Sequence, residues 1–217
     1  MNKMTTNFSL ILSKIFKELG RELPGLKSHL KMTPYQRKSA KEAIDSDLNP
    51  KMASVLLLIY QKEEETYFSL IKRVDYDGQH GGQISFPGGK NENGETMKET
   101  ALRETEEEIG LKKESITILG ELSQVYIPPS NFLITPFIGY IDYTPSFKVQ
   151  EREVDYILEI PLKQLMNDDN VKIKKIPLTK YAKTNMQMEA PYFELNKHIV
   201  WGATAVVLSE FKDLMNR

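Results

Sequence analysis

From Gly89 to Leu111 the chain reads GKNENGETMKETALRETEEEIGL, a stretch whose punctuation admits one helix and little else. Thr96 followed three residues later by Glu99 is a capping box, in which each side chain satisfies a backbone N–H that the first turn leaves open. Gly110 suits the left-handed position that ends a helix. Between them Met97, Ala101, Thr105 and Ile109 recur every four residues, a mostly apolar stripe for a core. On the shoulder of that stripe Glu107 and Glu108 stand three and four residues past Glu104, and so share its face. Like charges at this spacing repel by a few tenths of a kcal/mol per pair. A solvated acidic face is the ordinary origin of such a run. The alternative is a cation in front of the cluster, and hard carboxylate oxygens favour Mg²⁺, Mn²⁺ or Ca²⁺. Glu106 points away from stripe and cluster and is expected in water.

The flank decides between the two. Phe86-Pro87-Gly88-Gly89 stands just before the helix. Two glycines after a proline let the backbone turn sharply and come close to a ligand. Such a loop can place backbone carbonyls, with Gly89 the candidate here, beside carboxylates and a phosphate around one ion.

The rest of the chain predicts a scaffold of mixed type. An amphipathic helix uses Phe8, Ile11, Leu12, Ile15, Phe16 and Leu19 and ends at Gly20 to Pro24. A second opens at Thr33-Pro34, with Pro at N1, and runs to about Ser46. Met52 to Tyr60 reads as a buried strand, paired after a charged turn with Thr66 to Lys72. Strands follow over Ile116 to Val125, Phe132 to Ile141 and Val154 to Glu159, then a helical turn near Leu162. Val171 to Ile176 and Tyr192 to Leu195 read as paired edge strands, and a last helix runs from about Gly202 to Met215. This pattern gives an α/β sandwich around a mixed sheet, with residues 1–50 as a helical extension and 51–217 as the domain proper.

Composition narrows the class. With 29 basic against 30 acidic residues the net charge is −1, so no basic excess points to nucleic acid or an anionic membrane. Cysteine is absent, which excludes disulfides and thiolate sites and agrees with a cytoplasmic location. No apolar run is long enough to span a bilayer, and the N-terminus lacks the features of a signal peptide. The apolar face of the N-terminal helices must be buried somewhere, in a homodimer or in the same core.

Taken together, Gly89, Glu95, Arg103, Glu104, Glu107, Glu108 and Gly110 resemble the box of the Nudix hydrolase family, G-x5-E-x7-R-E-U-x-E-E-x-G-U, with U bulky and apolar. Thr105 is the one departure, where the family prefers an aliphatic residue. The resemblance implies the Nudix fold, an α/β/α sandwich, and a metal-dependent hydrolase that cuts the phosphoanhydride of a nucleoside diphosphate derivative. It makes Glu104, Glu107 and Glu108 ligands of Mg²⁺ or Mn²⁺ and Glu95 and Arg103 a structural ion pair at the catalytic site. Glu107 or Glu108 is the first choice of general base, and a loop glutamate such as Glu153 is the other.

Upstream, Leu70, Arg73, Gly82 and Phe86 to Gly89 keep the spacing of the coenzyme A diphosphatase branch, and His80 and Gln83 also resemble residues of that branch. Val74 and Gly78 depart from it, and Gly78 removes a guanidinium able to grip phosphate. The implied substrate is CoA or an acyl-CoA, with Arg73, His80, Gln83, Tyr126, Ser130 and Asn131 as candidate contacts. Tyr126 to Phe132 reads equally as a structural turn, and Trp201 as a base-stacking residue or as core. Another substrate such as ADP-ribose, or a non-catalytic nucleotide-sensing module on the same fold, are the alternatives.

Overall fold

The computed structural model describes residues 5–33, 40–45, 48–75, 81–177 and 187–217. Strand β1 (Lys51–Lys62) organises them. Its segment Leu56 to Tyr60 is at most 1% exposed at every residue. A strand covered on both faces has no polar side to show, hence the continuous apolar run in the sequence. Leu57 and Ile59 enter one core with Phe8, Leu12, Ile15 and Phe211. Leu56, Leu58 and Tyr60 enter another with Ala101 and Ile109. Full burial of each such side chain contributes roughly 1.5–3 kcal/mol.

Those two cores define three layers. Helix α1 (Thr6–Leu19) and, at the chain's other end, helix α6 (Gly202–Met215) cover one face of the sheet. Helix α4 (Met97–Ile109) covers the other. Three short helices complete the set among the described residues: α2 (Leu26–His29), α3 (Ala40–Ile44) and α5 (Leu162–Met166).

In the sheet, β1 runs parallel to β7 (Phe132–Tyr140), with Lys51 opposite Phe132 and Ile59 opposite Tyr140. It turns back into antiparallel β2 (Glu65–Arg73) through Glu63-Glu64, both at positive φ, 50° and 65°. A two-residue turn of that hand normally uses Asn and Gly, so two glutamates carry strain there. β5 (Thr117–Glu121) and β6 (Val125–Ile127) both pair with β7. β8 (Val154–Pro161) lies against β2. A separate antiparallel sheet joins β9 (Val171–Pro177), β10 (Gln187–Leu195) and β11 (His198–Val200). The mixed α/β sandwich with N-terminal helices is therefore as the sequence reads.

Three details differ from the expectation, and a fourth falls partly outside the described residues. Two short strands appear, β3 (Ile84–Ser85) against β2 and β4 (Gly88–Lys90) against β1. The strand expected over 116–125 breaks after Leu122, whose N–H still donates to the Pro136 carbonyl of β7 at 2.8 Å, because the N–H and hydroxyl of Ser123 turn to another partner. Phe16, assigned to the apolar face of α1, is 67% exposed; Phe8, Leu12 and Ile15 do the packing. The helix expected from Thr33 is described only over Ala40–Ile44, its start at 34–39 lying outside the described residues.

Helix α1 buries Phe8, Leu12 and Ile15 in the chain's own core while Leu10 and Phe16 stay exposed, and one buried acid ties the segment that follows α1 to α6. Glu210 on α6 is 0% exposed. It meets His29 Nε2 at 2.8 Å and accepts the Gly25 N–H at 3.0 Å and the Ser123 hydroxyl at 2.7 Å. Burial alone would raise its pKa, but the bonds from His29 and Ser123 hold it below the ordinary carboxylate range. Glu210→Ala would orphan these donors. The expected loss is on the order of 3 kcal/mol in urea unfolding, with faster proteolysis before Lys51.

Candidate active site

Helix α4 begins and ends as its sequence dictates. Thr96 Oγ1 accepts the Glu99 N–H at 3.2 Å, and Glu99 Oε2 accepts the Thr96 N–H at 2.8 Å. Gly110 closes the helix at φ 73°. Ala101, Thr105 and Ile109 are fully buried. Thr105, the departure from the family pattern, donates its hydroxyl to the Ala101 carbonyl at 2.7 Å, so its burial leaves no orphaned donor. Glu106 does point away from the cluster, yet it is half-buried and its carboxylate accepts the Lys113 N–H at 3.3 Å.

Strand β4 brings the Pro-Gly-Gly turn under this helix, with Gly88 opposite Val55 and Gly89 opposite Ser54. Gly88 has φ +149°, and a Cβ there would lie 2.3 Å from the Ser54 carbonyl oxygen. A Cβ on Gly89 would lie 2.3 Å from Glu104 Oε1. Glycine at both places is what allows the strand to pair with β1 and the Glu104 carboxylate to lie against it.

Two arginines organise the acids. Arg103 grips Glu95 with two bonds, Nε to Oε2 at 3.0 Å and Nη2 to Oε1 at 2.8 Å. Its Nη1 also donates to Glu104 Oε1 at 3.0 Å and Glu107 Oε2 at 3.1 Å. The Arg103 bond pulls the Glu95 pKa from 4.5 down to about 2. Glu104 moves the other way, since burial outweighs the same guanidinium and the neighbouring acids add to it.

Glu108 is only 1% exposed. Its Oε2 accepts the Gly88 N–H and its Oε1 accepts Arg73 Nη1, both at 2.8 Å. Desolvation still raises its pKa to about 7, against the opposing pull of Arg73 and Gly88. Glu107 is the exposed member, with 59% of its side chain in water. Glu153, on the loop before β8, stands 3.9 Å from Arg73 Nη2.

The candidate substrate contacts fall into two groups. Arg73 ends β2 beside the box, and its N–H donates to the Gln83 carbonyl at 3.0 Å. Tyr126, Ser130 and Asn131 precede or enter β7, one strand across at the same end of β1. There the Tyr126 hydroxyl donates to Asn131 Oδ1 at 3.0 Å, and Asn131 Nδ2 donates to the Leu48 carbonyl at 3.0 Å. His80 lies outside the described residues. Trp201 is half-buried at the N-cap of α6. A cavity of about 370 Å³ opens between the N-terminal helices and β6, lined by Leu26, His29, Gln124, Tyr126 and Val206 among others, so that Tyr126 borders it.

As the side chains stand, no group of three or more His, Cys, Asp or Glu among the described residues is arranged around one point that could hold a metal. The donor chemistry nonetheless fits a hard cation: three carboxylates on one helix face, with the open backbone of Gly89 against Glu104. Arg103 and Arg73 now hold these carboxylates. Among the described residues no helix is long and apolar enough to cross a membrane.

A model of the NUDIX domain matches residues 50–181. Nudix hydrolase 3 of Caenorhabditis elegans is 35% identical over 190 residues, which cover 79% of this chain and 76% of that protein. An uncharacterized Nudix hydrolase, NudL, of Yersinia enterocolitica is 30% identical over 176 residues, covering 77% of this chain and 83% of its own. Among solved structures, a MutT/nudix family protein from Enterococcus faecalis superposes with a TM-score of 0.52 at 14% identity, over 94% of this chain and 74% of that one. This last likeness speaks to the fold alone.

The Glu95–Arg103 pair sets a pH dependence. Because the folded-state pKa is depressed, the unfolded chain binds more protons between pH 4.5 and 2, and the pair's stabilisation is lost as pH falls through that window. Glu95→Gln should cost about 1–2 kcal/mol at pH 6, the exposed side of the pair being screened by solvent. The difference from wild type should vanish near pH 2. Urea unfolding of both proteins across this range measures it.

Proposed function

Since the chain belongs to the Nudix hydrolase family, we propose that this hydrolase of phosphoanhydrides acts on CoA or an acyl-CoA. The products are adenosine 3′,5′-bisphosphate and (acyl-)4′-phosphopantetheine. The supporting observation is a box complete but for Thr105, together with Leu70 and Arg73 on β2, Gly82 in the turn before β3 and Phe86-Pro87-Gly88-Gly89 leading into β4. Glu104, Glu107, Glu108 and the Gly89 carbonyl are the groups that would hold Mg²⁺ or Mn²⁺. Such an ion, when bound, neutralises a diphosphate and activates it as an electrophile.

The chain's own residues supply positioning. Arg103, anchored on Glu95, fixes the first two turns of α4 over the Gly-Gly strand. Glu108 has both oxygens engaged and is out of water. Glu107 has a single bond to Arg103 and an exposed side chain, so it is the better placed of the two to turn toward a reacting water and take its proton. The complete set of box glutamates weighs against a non-catalytic sensing module. Gly78, standing where the CoA pattern has arginine, keeps ADP-ribose as the second reading.

Hydrolysis of CoA, dephospho-CoA, ADP-ribose, NADH and diadenosine polyphosphates with Mg²⁺ or Mn²⁺ tests the substrate. CoA should be cleaved fastest; a preference for ADP-ribose defeats the CoA reading and leaves the hydrolase. With the preferred substrate, Glu107→Gln should lower kcat about 10²-fold or more at unchanged melting temperature. Glu106→Gln, across the helix, should leave kcat near wild type, and a large loss there would refute this division of the acids.

A further inference from the structure

We infer that Arg73 is a positioning residue for Glu108 and not a contact for the substrate's phosphate. The inference rests on the metal-dependent reading of the box. Arg73 is the last residue of β2, and its side chain is 21% exposed. Its Nη1 lies 2.8 Å from Glu108 Oε1, while the Gly88 N–H holds Oε2 at the same distance. The carboxylate is thus gripped from two strands, by one donor on each oxygen. With either donor gone, the remaining bond fixes one oxygen and leaves the carboxylate plane free to turn.

The local backbone is shaped for this bond. β2 and β8 keep register from Tyr67 opposite Pro161 to Lys72 opposite Tyr156, and then slip so that Val154 faces Arg73. Regular pairing would have set Asp155 there, a carboxylate to compete for the guanidinium. The bulge puts Val154, 1% exposed and packed in the α4-side core, in that place and leaves Asp155 in water. The Arg73 N–H is held by the Gln83 carbonyl, and the next N–H, of Val74, by the Glu153 carbonyl, both at 3.0 Å. Backbone on both sides is therefore pinned, and the guanidinium has its nearest carboxylate in Glu108, with Glu153 farther off at 3.9 Å. The guanidinium keeps further N–H groups, but its charge offsets the burial of Glu108, and a phosphate drawing that charge away would leave the carboxylate short of its partner.

The two roles separate in Mn²⁺ binding measured without nucleotide, by calorimetry or by the Mn²⁺ paramagnetic resonance signal. Outer groups that orient a metal ligand typically carry 10–100-fold in metal affinity. Arg73→Gln should therefore weaken Mn²⁺ binding by about that factor, and lower kcat with KM for the nucleotide nearly unchanged. Arg73→Lys keeps a charge and one donor, and should recover part of both losses. Melting curves of the variants establish that they fold, and the Lys variant carries the test if the Gln variant does not. Unchanged Mn²⁺ affinity with a raised KM makes Arg73 a phosphate contact and overturns the inference alone. A wild-type chain that binds no Mn²⁺ overturns the metal reading and this inference with it.

Discussion

Glu108 is a carboxylate withdrawn from water, and an isolated buried charge of that kind costs several kcal/mol unless donors replace its hydration. Much of the surrounding structure supplies those donors. The Gly88 N–H is free to point at Glu108 because β4 pairs with β1 at a place where only glycine clears the Ser54 carbonyl. Arg73 reaches it because β2 ends there and β8 bulges beside it. The helix that carries Glu108 is fixed in turn by Ala101 and Ile109 against the even-numbered residues of β1. Backbone, core and charge thus converge on one side chain.

Around that buried acid, the other carboxylates of the cluster differ in how firmly their bonds hold them. Glu95 is locked to Arg103 by two parallel bonds, the geometry in which arginine holds a carboxylate best. Glu104 is half-buried under Gly89 and shares the same guanidinium. Glu107 is exposed and singly bonded. On the proposed reading, this range from doubly gripped to singly bonded leaves one carboxylate able to take a proton while the others hold charge in place.

Local signals were the legible ones. The capping box, Gly110 and the four-residue stripe placed α4 to within a residue, because each acts over one or two turns. The double burial of β1 was visible as an unbroken apolar run, and α6 falls where expected, from Gly202 to Met215. The box itself is readable since all its polar positions lie within 22 residues of Gly89 on a strand and one helix. What escaped depends on distance or on strands too short for a period. β3 and β4 have two and three residues, and β4 begins with two glycines. Arg73 and Glu108 are 35 residues apart, and nothing in either neighbourhood names the other. His29 offered no partner by spacing because Glu210 is 181 residues away. The break at Leu122 follows from the same acid, which draws Ser123 out of the strand line.

That separation of His29 from Glu210 has a consequence in time. Gly25 and His29 leave the ribosome early, while the carboxylate that receives them is made 185 and 181 residues later. At 5–20 residues per second the wait is on the order of 10–40 s. During it α1, only 14 residues long, has neither α6 nor a finished sheet on which to lay Phe8, Leu12 and Ile15. A lone helix of that length is marginal in water. Helix α1, made well before its partners, is thus among the last elements to dock, and until then the nascent chain carries an unshielded apolar stripe, the kind of surface that chaperones bind and that aggregation recruits.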